Sequence, residues 1–445
     1  MNEQKPFKII RTAKESTDLK KGSGWFLSTF LLVNATLGAG LLNIPMAYHQ
    51  AGGVVTALIA QTILLVPVIF SIFILAYCAD IKGSNTYPDM VLSICGPTAQ
   101  MVCAACLMVD GFVMCVIFLI VISDQWEVFF LNVAHDLYCQ TQPFYMSRTF
   151  VISFTSAVFI LPLCFSKQID FLRHSSVIGV IGSLCVAVLV VIKYFLPHDN
   201  QGTIATTPHS WIDVLIFVPV ISFAFECHVG IVPIYSCMAK RNMGEFSKTV
   251  TLALILCIIT YTATAILGYL QFGDNITHDI LLSFNPTTDV MVAVVLVAVK
   301  TYTAYPILCF VGKAAFETLW RIFWKMSPEE IVKREKTRRV IITLVWFTLT
   351  LLLAVLIPNM GVVVEILGAL AVVLIFVFPG LCLFKTMQNK IESGEKHLTK
   401  AYVCRGIGIV YIIVGTFIFG LTVTQAIIKD IQGVKADTSK FSCSS

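Results

Sequence analysis

Residues 25–52 read WFLSTFLLVNATLGAGLLNIPMAYHQAG, and residues 211–239 read WIDVLIFVPVISFAFECHVGIVPIYSCMA. Each is long enough to cross a bilayer, which takes roughly 20 apolar residues for a hydrocarbon core of roughly 30 Å. Each also carries in its middle what a plain spanning helix avoids. The first holds Asn34, Thr36, Gly38 and Gly40 around Leu37 and Ala39. The second holds Phe223, Phe225, Glu226, Cys227, His228 and Gly230. Glycine lowers helix propensity by about 1 kcal/mol relative to alanine. A charge at mid-bilayer costs several kcal/mol unless it is paired or wetted. Both stretches therefore read as helices interrupted in the middle, over 34–40 and 223–230.

The rest of the chain gives these two helices their setting. Of 445 residues, 57% are hydrophobic and only 13% charged, against roughly 25% charged in a soluble domain. Mean hydropathy is +0.85. This composition excludes a secreted or cytosolic enzyme and a disordered protein, and leaves an all-α polytopic membrane protein. Eleven apolar stretches qualify as transmembrane helices: about 25–48, 53–79, 98–126, 149–165, 175–196, 211–238, 248–272, 289–318, 340–357, 362–384 and 403–428. Spans 1–5 occupy 25–196 and spans 6–10 occupy 211–384, blocks of 172 and 174 residues that each begin with an interrupted helix. Five spans turn the second block upside down relative to the first. That is the sequence pointer to a 5+5 inverted-repeat transporter whose site lies at the two breaks. The eleventh helix, 403–428, lies outside the repeat.

The backbone explains why a break makes a site. Unwound residues expose N–H groups at the start of the next half-helix, where the dipole is positive, and carbonyls at the end of the previous one. Free amides suit a carboxylate; free carbonyls suit an ammonium group or Na⁺. An α-amino acid carries both groups on one carbon. Gly38 and Gly40 also fit a blander reading, in which small residues only let helices pack closely. Matched breaks in two blocks of equal length favour the site.

Basic residues assign the sides. With the N-terminal tail 1–24 in the cytosol, 24 of the 31 Lys and Arg fall on the cytosolic side and five on the other; Lys300 and Lys313 lie within span 8. Cytosolic enrichment is the usual sign of orientation, so the formal charge of +5 reports topology and not nucleic-acid binding. The sequon at Asn275 then faces outward, where a glycan can attach. The C-terminal tail 429–445 is non-cytosolic, and Cys139 and Cys443 face outward, with their pairing open. Tyr87-Pro88-Asp89-Met90 has the form of a sorting signal but also reads as the start of a loop helix.

Several motifs carry a resemblance. Leu37-Gly38-Ala39-Gly40-Leu41-Leu42-Asn43-Ile44-Pro45 resembles the first-helix signature of the amino acid/auxin permease family, and Ser222–His228 is similar to its sixth-helix motif. Leu267–Gly273, Tyr305-Pro306 and Phe376–Gly380 also fit. Together they resemble the sodium-coupled neutral amino acid transporter branch (solute carrier family 38), nearest to its lysosomal-type glutamine/asparagine members, over about residues 22–428. The resemblance implies a LeuT-like arrangement and amino acid transport coupled to Na⁺ or H⁺, with no further cofactor. It implies that Thr36–Gly40 hold the substrate carboxylate, and that Phe223, Phe225 and neighbouring residues hold the ammonium group. It implies a Na⁺ site from the carbonyls of Asn34 and Leu37 with span 8 groups near Thr303 and Ala304.

The sequence departs from that pattern at ionisable positions. Ala304 replaces a hydroxyl, and Lys300 shares the face of Thr303 and Ala304 by helical spacing. The Lys300 ammonium would then stand in the Na⁺ position, making transport Na⁺-independent. Glu226 has two readings: contact with a cationic substrate side chain, or a pair with Lys300 inside the protein. Asp110 either balances Lys300 or lines the site, and Glu365 either reaches water or serves as an outer gate. Lys313 reads as a snorkelling residue. His228 is either a proton carrier or a packing residue.

An enzyme is not expected: the chain has no P-loop, no HExxH pair and no GxSxG elbow. Beside the amino acid carrier stand a Na⁺-independent cationic amino acid carrier and a transporter-like sensor. The expected partners are a small amino acid and the lipid bilayer, the expected state a monomer. The expected location is the plasma or lysosomal membrane.

Overall fold

The computed structural model describes residues 23–141, 143–165, 170–197, 202–208, 210–285, 287–324, 335–357, 360–394 and 398–431. Most of the N-terminal tail, the end of the C-terminal tail and Cys443 lie outside them. Among the described residues the chain is all-helical, apart from one isolated parallel bridge between Ser23 and Met238. Helix α1 covers Trp25–Thr36, α2 Gly40–Gln50, α3 Val54–Lys82, α4 Tyr87–Cys95 and α5 Pro97–Val133. Next come α6 (Arg148–Cys164) and α7 (Asp170–Phe195). The chain continues with α8 (Trp211–Ala224), α9 (His228–Cys237), α10 (Met243–Phe272) and α11 (Thr288–Trp324). Last are α12 (Glu335–Leu356), α13 (Met360–Val372), α14 (Phe378–Glu392) and α15 (Leu398–Ile431).

Among the described residues, eight helical segments are long and apolar enough to cross a membrane. The bent pair α1 and α2 makes a ninth, and two shorter apolar helices lie at Arg148–Cys164 and Gly179–Phe195. The protein is thus a multi-pass membrane protein. Helix α3 shows how its surface is matched to lipid. Val55, Ile59, Ile63, Val66 and Phe70 are exposed at helical spacing, while Gln61 and Ser71 are buried. In water the polar residues of an amphipathic helix face outward; here they turn inward, toward partners in the bundle.

Several helices outrun the apolar stretches expected from sequence. Helix α5 runs to Val133 rather than to 126 and takes in Glu127, and α11 runs to Trp324 rather than to 318. A helix can continue past the hydrocarbon edge because its backbone bonds stay satisfied in water as in lipid. Helices α5 and α11 make the most extensive helix–helix packing. Their backbones meet at Gly111 and Gly312, where a Cβ on Gly111 would lie 3.1 Å from the Gly312 Cα. The 87–90 motif does begin a helix: Thr86 caps α4 by accepting from the Asp89 amide, and Tyr87 is buried. The Tyr87 hydroxyl donates to the Leu374 carbonyl at 2.8 Å. Leu374 lies in a π-helical turn, Val373–Val377, between α13 and α14, where the wider winding disturbs the regular hydrogen-bond ladder. Cys139 is disulfide-bonded, and the other cysteines of the described residues are free.

Candidate functional site

The first interruption falls at Leu37–Ala39. The chain leaves α1 through an inverse γ-turn: Leu37 has φ −71° and ψ 73°, and the Gly38 amide donates to the Thr36 carbonyl at 2.7 Å, the geometry of that turn. Helix α2 then departs at 55° to α1. The turn swings the Leu37 carbonyl out of the helical ladder. The amides of Ala39 and Gly40 open α2 without a backbone acceptor among the described residues, as helix N-termini do.

The second interruption is narrower than the sequence suggests. Helix α8 ends at Ala224 and α9 starts at His228, so only Phe225, Glu226 and Cys227 are unwound. Residues 217–237 still pass as one span, whereas α1 and α2 are bent by more than 40°. Turn bonds from the Glu226 amide to the Phe223 carbonyl (3.2 Å) and from the Gly230 amide to the Cys227 carbonyl (3.0 Å) bridge the gap.

The two breaks meet. A Cβ on Gly40 would lie 2.8 Å from the Ala224 Cα, so glycine is what lets the start of α2 lie against the end of α8. Tyr261 of α10 joins the two ends. Its hydroxyl is 2.6 Å from the Thr36 carbonyl and 2.8 Å from the Ala224 carbonyl. These are the last carbonyls of α1 and α8, which have no intrahelical partner. The Tyr261 ring packs edge-on against Phe225, centroids 4.8 Å apart. The Cys227 and Cys257 thiols lie against the Thr36 hydroxyl, which itself donates to Leu32. Phe223 and Phe225 are both buried beside the second break.

Lys300 of α11 is buried, and its Nζ donates to the Leu37 carbonyl and to the Ser183 hydroxyl of α7. The Asn34 side chain passes over Gly179 of α7 closer than a Cβ would allow, and the stem of Lys300 lies beside it in ordinary contact range. Asn34, Leu37, Ser183 and Lys300 thus form one cluster. Thr303 stands apart from it, with its hydroxyl donated to carbonyls of its own helix, Val299 and Lys300. A cavity of about 20 Å³ beside the cluster is lined by Gly38, Ala39, Ser183, Lys300 and Thr301 among others. That is room for about one water molecule beside the first break.

The expected pairing of Lys300 with Glu226 or with Asp110 is not made: the ammonium is held by a carbonyl and a hydroxyl. Asp110 lies within electrostatic reach of Glu226 instead. Asp110 Oδ1 and Glu226 Oε1 are buried without a hydrogen-bond partner. His228 is fully buried and directed away from the breaks, its Nε2 2.6 Å from Ser71 Oγ of α3. Lys313 donates to the Cys164 carbonyl and Thr343 Oγ1, so it is anchored inside the bundle and does not snorkel. Glu365 is half-buried on α13. Asn275 is exposed next to the end of α10.

On the side where α2 ends, the loop after α10 covers the bundle. Asp279 accepts from the Gln125 side chain (2.8 Å) and the Leu281 amide (2.9 Å). Burial nevertheless pushes its carboxyl up to about 6. Asp274 is exposed, and bonds from Thr203 hold its carboxyl below the usual range. His278 bonds Asn43 of α2 at 3.2 Å and rests on Gly361 of α13. Tyr261, Ser183 and His278 carry no signal in the sequence, where each reads as filler or as loop.

The chain matches, over residues 21–427, the family described as transmembrane amino acid transporter protein. It belongs to that family. Among curated relatives, it is 37% identical to sodium-coupled neutral amino acid transporter 7 of Danio rerio, covering 95% of this chain and 91% of the relative. It is 39% identical to the Homo sapiens protein of the same name, covering 90% and 87%. It is 33% identical to solute carrier family 38 member 8 of Homo sapiens, covering 90% and 93%. The chain is therefore a transporter of the solute carrier family 38 branch and not an enzyme.

Proposed function

We propose that this chain is a secondary active carrier that moves neutral amino acids of the glutamine/asparagine kind by alternating access, with its substrate site at the two breaks. The observation that carries the reading is the Tyr261 hydroxyl on both the Thr36 and Ala224 carbonyls. It ties together two half-helices whose backbone groups are left over for a zwitterion. The amides of Ala39 and Gly40 receive the carboxylate, and the groups around Phe223, Phe225, Glu226 and Cys227 receive the ammonium and the side chain. The proposed architecture is eleven spans in a LeuT-like 5+5 inverted repeat, 25–196 against 211–384, with the last helix outside it. The eight long helices, the bent pair and the two shorter apolar helices fall on those eleven stretches, which supports it. The N-terminus is cytosolic, the protein is a monomer in the plasma or lysosomal membrane, and Asn275 carries a glycan on the outer side.

The relatives are named for sodium coupling. In this chain the Leu37 carbonyl, proposed as a Na⁺ ligand, is taken by Lys300. A fixed ammonium there supplies the charge that a bound Na⁺ would, so this site runs without sodium. Uptake of a radiolabelled amino acid panel into proteoliposomes, with Na⁺ replaced by choline, tests the reading. Saturable glutamine or asparagine uptake that persists in choline is expected. Abolished uptake in choline would sink the sodium-free part, and binding without flux would turn the reading to a sensor. Preferential uptake of arginine or lysine would favour a cationic side chain on Glu226.

A further inference from the structure

Two thiols that the transport reading does not use lie side by side. Cys95 ends α4 and Cys382 lies on α14, with their Sγ atoms 3.9 Å apart. Both are free. The pair is the second of two links between α4 and the span that contains α14. At the start of α4, the Tyr87 hydroxyl donates to the Leu374 carbonyl at 2.8 Å. Cys95 lies eight residues beyond Tyr87, and Cys382 lies eight beyond Leu374. The two segments therefore run side by side in the same direction, and their register sets Cys95 against Cys382. Cys382 is fully buried, whereas Cys95 is half-buried, with Ser93 and Pro97 exposed around it. Lys385, one turn beyond Cys382 and on its face of α14, is also exposed. A small oxidant in water thus meets Cys95 first. The Cys382 thiol and the Lys385 ammonium hold the Cys95 thiol, which lies outside the long spanning helices, below its usual range. That favours the thiolate, the reactive form.

A disulfide holds its sulfurs at about 2 Å, so the pair closes by side-chain rotation and a small approach of α4 to α14. We propose that Cys95 and Cys382 are an oxidation site, converted by hydrogen peroxide to a disulfide that ties α4 to α14 and arrests transport until a thiol reduces it. The Cys95 thiolate attacks one peroxide oxygen, the O–O bond breaks, and the leaving hydroxide takes up a proton to become water. The Cys382 sulfur then attacks the sulfur of the Cys95 sulfenic acid. The S–S bond forms as the S–O bond breaks, and the hydroxyl leaves with the Cys382 proton as a second water. The two thiols give up two electrons, and the peroxide takes them. A small thiol reverses the bond by exchange. Helix α4 also packs against α9, the half-helix that follows the second break. It stands between α9 and α14, and a covalent tie there opposes the relative movement of helices that alternating access needs. The arrest rests on the carrier reading, while the disulfide itself stands on the two thiols alone.

Peptide mass mapping of the purified full chain, treated with hydrogen peroxide and digested without reductant, tests the site without transport. A peptide pair joined through Cys95 and Cys382 is expected, and dithiothreitol should separate it. The exposed Cys237 is the internal control. Free thiols at both Cys95 and Cys382 under doses that oxidise Cys237, or either one joined to a different cysteine, overturn the proposal. In proteoliposomes, peroxide is expected to lower glutamine uptake by wild type in step with the fraction cross-linked, and dithiothreitol to restore it. Cys95→Ser should carry glutamine as wild type does and lose the peroxide effect; Cys382→Ala takes its place if it does not fold. Full uptake by cross-linked wild type, or a peroxide effect that survives in the variant, overturns the control of transport. Absence of glutamine flux from untreated wild type, with the cross-link formed on oxidation, would count against the carrier reading and leave the disulfide standing.

Discussion

Replacing Tyr261 by phenylalanine removes one oxygen from the point where the two breaks meet. The ring stays and keeps its edge-on packing against Phe225 at 4.8 Å, so the change is confined to hydrogen bonding. The hydroxyl is within 2.6 Å of the Thr36 carbonyl and 2.8 Å of the Ala224 carbonyl, and Tyr261 is fully buried. Leaving a buried acceptor without its donor costs about 1–3 kcal/mol. One proton serves both carbonyls, so we expect a total of about 2 kcal/mol, or about 30-fold in the balance between closed and opened breaks. If the whole chain unfolds in one step, the same loss lowers Tm by about 2 °C, from the entropy of unfolding per residue. Cys227 and Cys257 are buried next to Thr36 and report opening directly. The assay is maleimide labelling of these two thiols, followed by mass spectrometry, in wild type and Tyr261→Phe. Labelling should speed up roughly in proportion to the population of the opened form, toward the same ~30-fold. Labelling rates within about twofold of wild type would refute the idea that this hydroxyl holds the breaks together.

Two further results are expected. Gly40→Ala places a Cβ 2.8 Å from the Ala224 backbone, while a Cβ on Gly38 meets nothing nearer than 3.9 Å. Overpacking of that kind costs about 1–3 kcal/mol, so Gly40→Ala should lower the melting temperature and the monodisperse yield while Gly38→Ala leaves both near wild type. Asp279 is buried with its carboxyl pushed up to about 6 from an ordinary 3.8. Between those values the folded loop holds a proton that the unfolded chain does not, so stability is highest at acid pH and falls as pH rises through about 6. The full difference is about 3 kcal/mol, at roughly 1.4 kcal/mol per unit. Hydrogen exchange over residues 276–284, corrected for intrinsic rates, should slow from pH 7.5 to pH 5, and Asp279→Asn should flatten that dependence.

The sequence by itself determined the membrane setting, the places of the long apolar helices and the positions of both breaks. Those features are written in runs of apolar residues and in Gly, Asn and Glu where a spanning helix tolerates them poorly, all of which act locally. Helical spacing also put Lys300 on the face of Thr303 and toward the first break. The tertiary structure decided the partners. Lys300 reaches Leu37 because a γ-turn rotates that carbonyl outward and Ser183 of α7 stands next to it. Thr303, three residues on, turns its hydroxyl back to its own helix. Neither Asp110 nor Glu226 meets Lys300, and Tyr261, an aromatic residue in an apolar helix, becomes the link between two helix ends. Spacing along one helix says which residues share a face. Which face meets which depends on how helices far apart in sequence cross, and close contacts such as Gly111–Gly312 and Gly40–Ala224 set that crossing.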